Sequence, residues 1–125
     1  MIPSETTDVY WLNTIYQTNV TYRTGKWLIF CSFNNIDEEW NTVKRSTEKG
    51  DLGCSAKVST RKPHPRSRKD SGVICVYTYD SDNISDVLRV RNKLRELGFT
   101  RRLFYKTDQA TREGKYGKSS HKYAI

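Results

Sequence analysis

Five basic residues, Lys26, Lys57, Arg61, Lys106 and Arg112, stand on or just beyond segments that read as strands. A guanidinium grips phosphate oxygens through two parallel hydrogen bonds and an ammonium adds a point charge, so several of these groups converging would suit one phosphoryl dianion. Lys57 is the most informative of them. In Ser55-Ala56-Lys57-Val58-Ser59 the period of two sends Ala56 and Val58 inward and Lys57 to the opposite, polar face. Tyr16, Tyr22, Tyr77, Tyr79, Tyr105 and Tyr116 offer flat rings on which a base could stack, with core or cross-strand packing as the competing use.

Other chemistries find little support. Gly25, Gly50, Gly53 and Gly98 form neither GxGxxG nor GxxxxGK[ST], which removes the usual nucleotide loops. The two histidines, His64 and His121, lie apart from the cysteines, so no metal site, cofactor or hydrolase triad is expected. Cys31, Cys54 and Cys75 fall in apolar segments without a CxxC pair and read as reduced core thiols.

The charge distribution agrees with an anionic ligand. Net charge is +8 over 125 residues, but residues 1–53 carry five Lys/Arg against seven Asp/Glu while residues 54–125 carry seventeen against seven. The second half therefore predicts a phosphate or polyanion partner. Met1–Glu5 lacks a charged start followed by an apolar run, and no stretch is long enough for a membrane span, so a cytoplasmic location without a membrane partner is expected.

The elements that must position the cations are legible. A chain of 125 residues with 15 Phe, Trp and Tyr predicts one domain whose core relies on aromatic rings, with Trp27 and Trp40 inside. Val9–Tyr16 fits a short helix capped by Thr7 or Asp8, or an edge strand. Val20 and Tyr22, a Thr24-Gly25 turn and Lys26–Cys31 predict a hairpin. Asn35 with Glu38 has the form of a capping box opening a helix that Gly50 ends, with Ile36, Trp40 and Val43 on its buried face. Strands follow at Cys54–Thr60 and Val73–Tyr79, separated by a mobile basic loop over 61–72. Asn83 caps a second helix with Ile84, Val87, Leu88, Leu94 and Leu97 inward and Arg89, Arg91, Lys93 and Arg95 outward, closed by Gly98. A last strand covers Arg101–Lys106, and residues 1–7 and 117–125 are expected as flexible tails. The predicted fold is α+β: a curved, mostly antiparallel sheet with two helices on one face and a ligand on the other.

Three segments carry a resemblance: Thr24–Phe30, Leu52–Ser59, and Val73–Tyr79 with Tyr105–Asp108. Over roughly residues 20–117 the chain resembles the family of the basophilic leukaemia-expressed protein Bles03, whose fold is similar to that of translation initiation factor 4E, the messenger-RNA cap binder. The resemblance implies that Gly25-Lys26-Trp27-Leu28-Ile29 matches that factor's Gly-Arg-Trp-Leu-Ile strand and that Arg61 stands near its phosphate-gripping arginine. Tyr16-Gln17 occupies the place of its cap-binding Trp-Glu pair. A weaker resemblance to bacterial phosphothreonine lyases implies Lys57 as general base, Lys26 in the catalytic set and Leu28 where those enzymes carry their general-acid histidine. The expected function is binding of a phosphate-bearing ligand, whether nucleotide, RNA or phosphorylated peptide. A lyase-like β-elimination and a protein-interaction scaffold are the alternatives.

Overall fold

The structure is a computed structural model and describes residues 1–17, 23–65, 70–108 and 122–125. The predicted Val20/Tyr22 hairpin arm, Arg112, Tyr116 and His121 lie outside the described residues. Among the described residues six strands, β1 (Trp11–Ile15), β2 (Gly25–Ser32), β3 (Ser55–Ser59), β4 (Ser71–Thr78), β5 (Phe104–Thr107) and β6 (Tyr123–Ala124), form one curved sheet in the order β1-β3-β4-β2-β5-β6. Every pairing is antiparallel. Helices α1 (Ile36–Glu48) and α2 (Ile84–Glu96) follow β2 and β4.

Alternation along the strands assigns the two faces. Trp27, Ile29, Cys31, Ala56, Val58, Ile74, Val76 and Tyr105 pack with Ile36, Trp40 and Val43 of α1 and Val87, Val90 and Leu94 of α2 in one core. Each strand's intervening residues must then point to the face opposite α1 and α2. The helices therefore share one side, and Lys26, Lys57, Cys75, Tyr77 and Lys106 belong to the other.

The segment 9–16 resolves as the edge strand rather than the helix. Trp11↔Ser59 through Ile15↔Ser55 pair in register, and this ladder satisfies backbone groups that a helix of so few residues would leave open at both ends. Gly50 and Gly98 end α1 and α2 with φ of 81° and 104°, as expected of C′ glycines. Asn83 accepts from the Asp86 amide at 3.3 Å, but Asn35 makes no such cap: its side-chain amide donates to Ser32 Oγ instead. Asp37, Glu38 and Glu39 in the first turn suit the positive end of the α1 dipole.

The buried stripe of α2 is rotated from the predicted one. Ile84 and Leu88 are exposed, whereas Arg91, expected outside, is 1% exposed. Its guanidinium donates to the carbonyls of Ile125, Phe99 and Arg101 at 2.8, 3.4 and 3.1 Å, and those carbonyls hold it inside. Both ends of the described chain are packed where tails were expected. Pro3–Glu5 forms a 3-10 turn whose Ser4 amide and hydroxyl both donate to the Asp37 carboxylate, and Tyr123 and Ala124 pair with β5. Of the predicted 61–72 loop, Ser71 and Gly72 already belong to β4, and 66–69 lie outside the described residues.

Candidate phosphate-binding face

Strand register decides which cations meet. Asn13, Lys57, Cys75, Leu28 and Phe104 stand abreast across β1, β3, β4, β2 and β5, and Tyr77, Lys26 and Lys106 stand abreast across β4, β2 and β5. These two rows are neighbours on the face opposite α1 and α2. Lys57 Nζ lies 4.0 Å from the centroid of the Trp11 ring and 5.9 Å from that of Tyr77, while Lys26 Nζ lies 5.6 Å from the same Tyr77 ring. One phenol thus stands between two ammonium groups from different strands.

The face is poorly hydrated. Lys26 and Lys106 are 7% and 5% exposed, and Lys57 is partly buried. Lys26 pairs with Asp108 at 3.4 Å, and the Asp108 amide is tied to the Thr24 carbonyl at 2.9 Å. Burial lowers the Lys57 pKa; the Lys26 charge lowers it further, and the Cys75 sulfur and Asp108 oppose that. Burial pushes the Cys75 thiol up to about 11, against the pull of Lys57 and Lys26, and holds the Tyr77 phenol protonated. Cys31, Cys54 and Cys75 are all free and buried, and burial raises Cys31 to about 12. Among the described residues no helix is long and apolar enough to cross a membrane.

Two of the sequence-predicted site residues go elsewhere. Arg61 stacks on Phe33, 4.1 Å from the ring centroid, and donates Nε to the Ser4 carbonyl at 3.1 Å. Because β3 ends at Ser59, alternation no longer governs position 61, and the guanidinium turns to the N-terminal segment instead of joining Lys57. Tyr16 lies one step past β1 with its ring on Gly50, whose added Cβ would stand 2.7 Å from Tyr16 Cζ; it does not join Tyr77. Lys57, Lys26, Lys106 and Tyr77 are brought together. Trp11, Cys75 and Asp108 complete the face and were missed. Reading Val9–Tyr16 as a strand would have exposed Trp11, since it alternates with the inward Leu12.

Among the described residues, an antiparallel sheet of six strands with α1 and α2 on one side is an α+β architecture, and solved structures of initiation factor 4E show the same fold. The family described as basophilic leukemia-expressed protein Bles03 matches residues 11–112, and the chain belongs to that family. It is similar to the schistosome factor complexed with m7GpppA and 4E-BP, at 18% identity and a TM-score of 0.60 over 82% of this chain and 59% of that one. It is also similar to C. elegans factor 4E-3 with the 4E-binding protein Mextli and cap analog, at 19% identity, TM-score 0.58, 82% and 57%. A third likeness is to Ascaris suum factor 4E-3 with m2,2,7G cap, at 15% identity, TM-score 0.58, 89% and 62%. The chain thus spans about six-tenths of the length of these neighbours, and the likeness is one of fold.

Proposed function

We propose that the sheet face opposite α1 and α2 binds a phosphate-bearing ligand, whether nucleotide, RNA or phosphorylated peptide, with Lys57, Lys26 and Lys106 as its anion-binding groups. The observation that carries this reading is the pair of ammonium groups flanking one Tyr77 ring, with Lys106 directly opposite Lys26 in the sheet. Lys26 is paired with Asp108, and a bound phosphate would offset the cost of burying the Lys57 charge near that of Lys26. The cap ligands in the similar structures support a phosphate-rich ligand on the same kind of fold. Arg112 would add to the site as the sequence reading has it.

Uridine monophosphate and inorganic phosphate, titrated calorimetrically at two salt concentrations, test the reading. Binding should weaken as salt rises and fall about tenfold in Lys57→Ala, with partial recovery in Lys57→Arg. Absence of binding by either probe at low salt would overturn it.

The lowered proton affinity of Lys57 favours one second reading, a β-elimination of phosphothreonine. Neutral Lys57 would take the α-proton, its electrons would form the new double bond, and the carbon–oxygen bond would break with departure of phosphate. Leu28 supplies no proton, so the protonated Tyr77 phenol would be the donor on that face. Mass spectrometry of a phosphothreonine peptide incubated with the protein decides: loss of phosphoric acid that Lys57→Ala abolishes supports the lyase, and an unchanged peptide rules it out.

A further inference from the structure

Phe30 is 52% exposed although β2 is an interior strand, paired with β4 on one side and β5 on the other. Ile29 and Cys31 beside it are buried in the core, so alternation fixes Phe30 on the face opposite α1 and α2 with Lys26 and Leu28. Val73 lies opposite it on β4, and the Phe104 ring from β5 meets it edge-on at 6.3 Å between centroids. An aromatic pair left open in the middle of a sheet is a surface prepared for contact.

Register places a second ring level with it. Trp11 is two residues from Asn13 and Phe30 two residues from Leu28, on the same side of the row that joins Asn13, Lys57, Cys75 and Leu28. Three inter-strand steps separate Trp11 from Phe30, about 14 Å at roughly 4.8 Å per step. Lys57 occupies the adjoining row and already leans onto the Trp11 indole, and Lys26 and Lys106 lie one row further. No single base covers both rings.

We infer that this face is a platform for single-stranded nucleic acid of more than one nucleotide, with one base on Trp11, another on Phe30 beside Phe104, and the intervening phosphate at Lys57. The inference rests on the phosphate-binding reading and narrows it. Rings interleaved with cations across an open sheet match what unstacked bases on a charged backbone require, because every base offers a flat face and every linkage a charge. A duplex keeps its bases stacked away from such rings, and phosphate alone leaves Phe30 unused. A phosphate that draws the Lys57 ammonium off the indole uncovers that ring for a base.

The test compares a five-nucleotide uridine RNA with uridine monophosphate and a phosphothreonine peptide, on wild type, Phe30→Ala, Phe30→Tyr and Trp11→Ala. Circular dichroism and melting confirm the fold of each variant; Phe30 is half-exposed, so its truncation should leave the melting temperature nearly unchanged. The pentamer should bind at least about tenfold more tightly than the monophosphate, and each alanine should weaken it by roughly ten- to a hundredfold. Phe30→Tyr should retain pentamer binding. A pentamer no tighter than the monophosphate, or unaffected by Phe30→Ala, overturns the platform while phosphate binding stands. A phosphopeptide bound more tightly than the pentamer and sensitive to Phe30 overturns it in favour of a peptide site. If none of the three probes binds, the phosphate reading falls as well.

Discussion

The Lys57 ammonium lies 4.0 Å over the Trp11 ring of the neighbouring strand, so this partly buried cation rests on an aromatic surface instead of a carboxylate. A contact of this kind contributes on the order of 1 kcal/mol and holds the charge without neutralising it. An incoming anion therefore meets a cation that is positioned yet still available.

The pH dependence of binding should report Lys57. Its folded-state pKa is lowered from the ordinary lysine value of 10.5, so anion affinity should begin to fall at a pH below that value as the ammonium is lost. The stability sign is fixed by linkage: the unfolded chain binds more protons between the folded and unfolded values, so stability rises with pH across that window. Chemical denaturation at stepped pH should show this rise in wild type and its loss in Lys57→Met.

Asp108 acts in the opposite sense to the lysines. It is the carboxylate that pairs with Lys26 and bears on Lys57 and Cys75. Asp108→Asn removes a competing anion and should tighten phosphate binding by about fivefold, on the order of 1 kcal/mol, at low salt. Calorimetry reads this directly, and weaker binding would assign Asp108 to ligand contact.

Gly53→Ala should damage fold and site together. A Cβ there would stand 1.7 Å from the Tyr77 carbonyl oxygen, a backbone atom that cannot step aside without shifting β4. Overpacking of this kind costs about 3 kcal/mol, a fall in melting temperature of roughly 10 °C, and should reduce ligand affinity through displacement of Tyr77.

Arg91→Met should destabilise without touching the open face. The carbonyls of Phe99, Arg101 and Ile125 would lose their shared donor, at a cost of about 3 kcal/mol in denaturant melts. Arg91→Lys should recover little, since one ammonium cannot reproduce the planar fork. Phosphate affinity of the folded fraction should stay unchanged.

Local pattern sufficed for much of this. Alternation in Ser55–Ser59 turns Lys57 away from the core, helical spacing buries Ile36, Trp40 and Val43, and Gly50 and Gly98 mark helix ends because few other residues accept positive φ. The α2 stripe was partly misjudged, because hydrophobicity alone cannot foresee that three carbonyls would draw Arg91 inside and leave Ile84 and Leu88 out.

The sequence by itself determined β2 to β5, α1 and α2, their order and the faces of their strands, since these follow from periods of two and 3.6 within a few residues, whereas the edge strands β1 and β6 were decided by pairing. Only the tertiary structure decided which cations are neighbours. Lys57, Lys26 and Lys106 meet because β3, β4, β2 and β5 lie side by side in an order unrelated to their order in the chain, whereas Arg61, only four residues from Lys57, escapes to Ser4 and Phe33 once its strand has ended. Strand order and register are set by long-range pairing and by the shared core beneath, which local spacing does not encode.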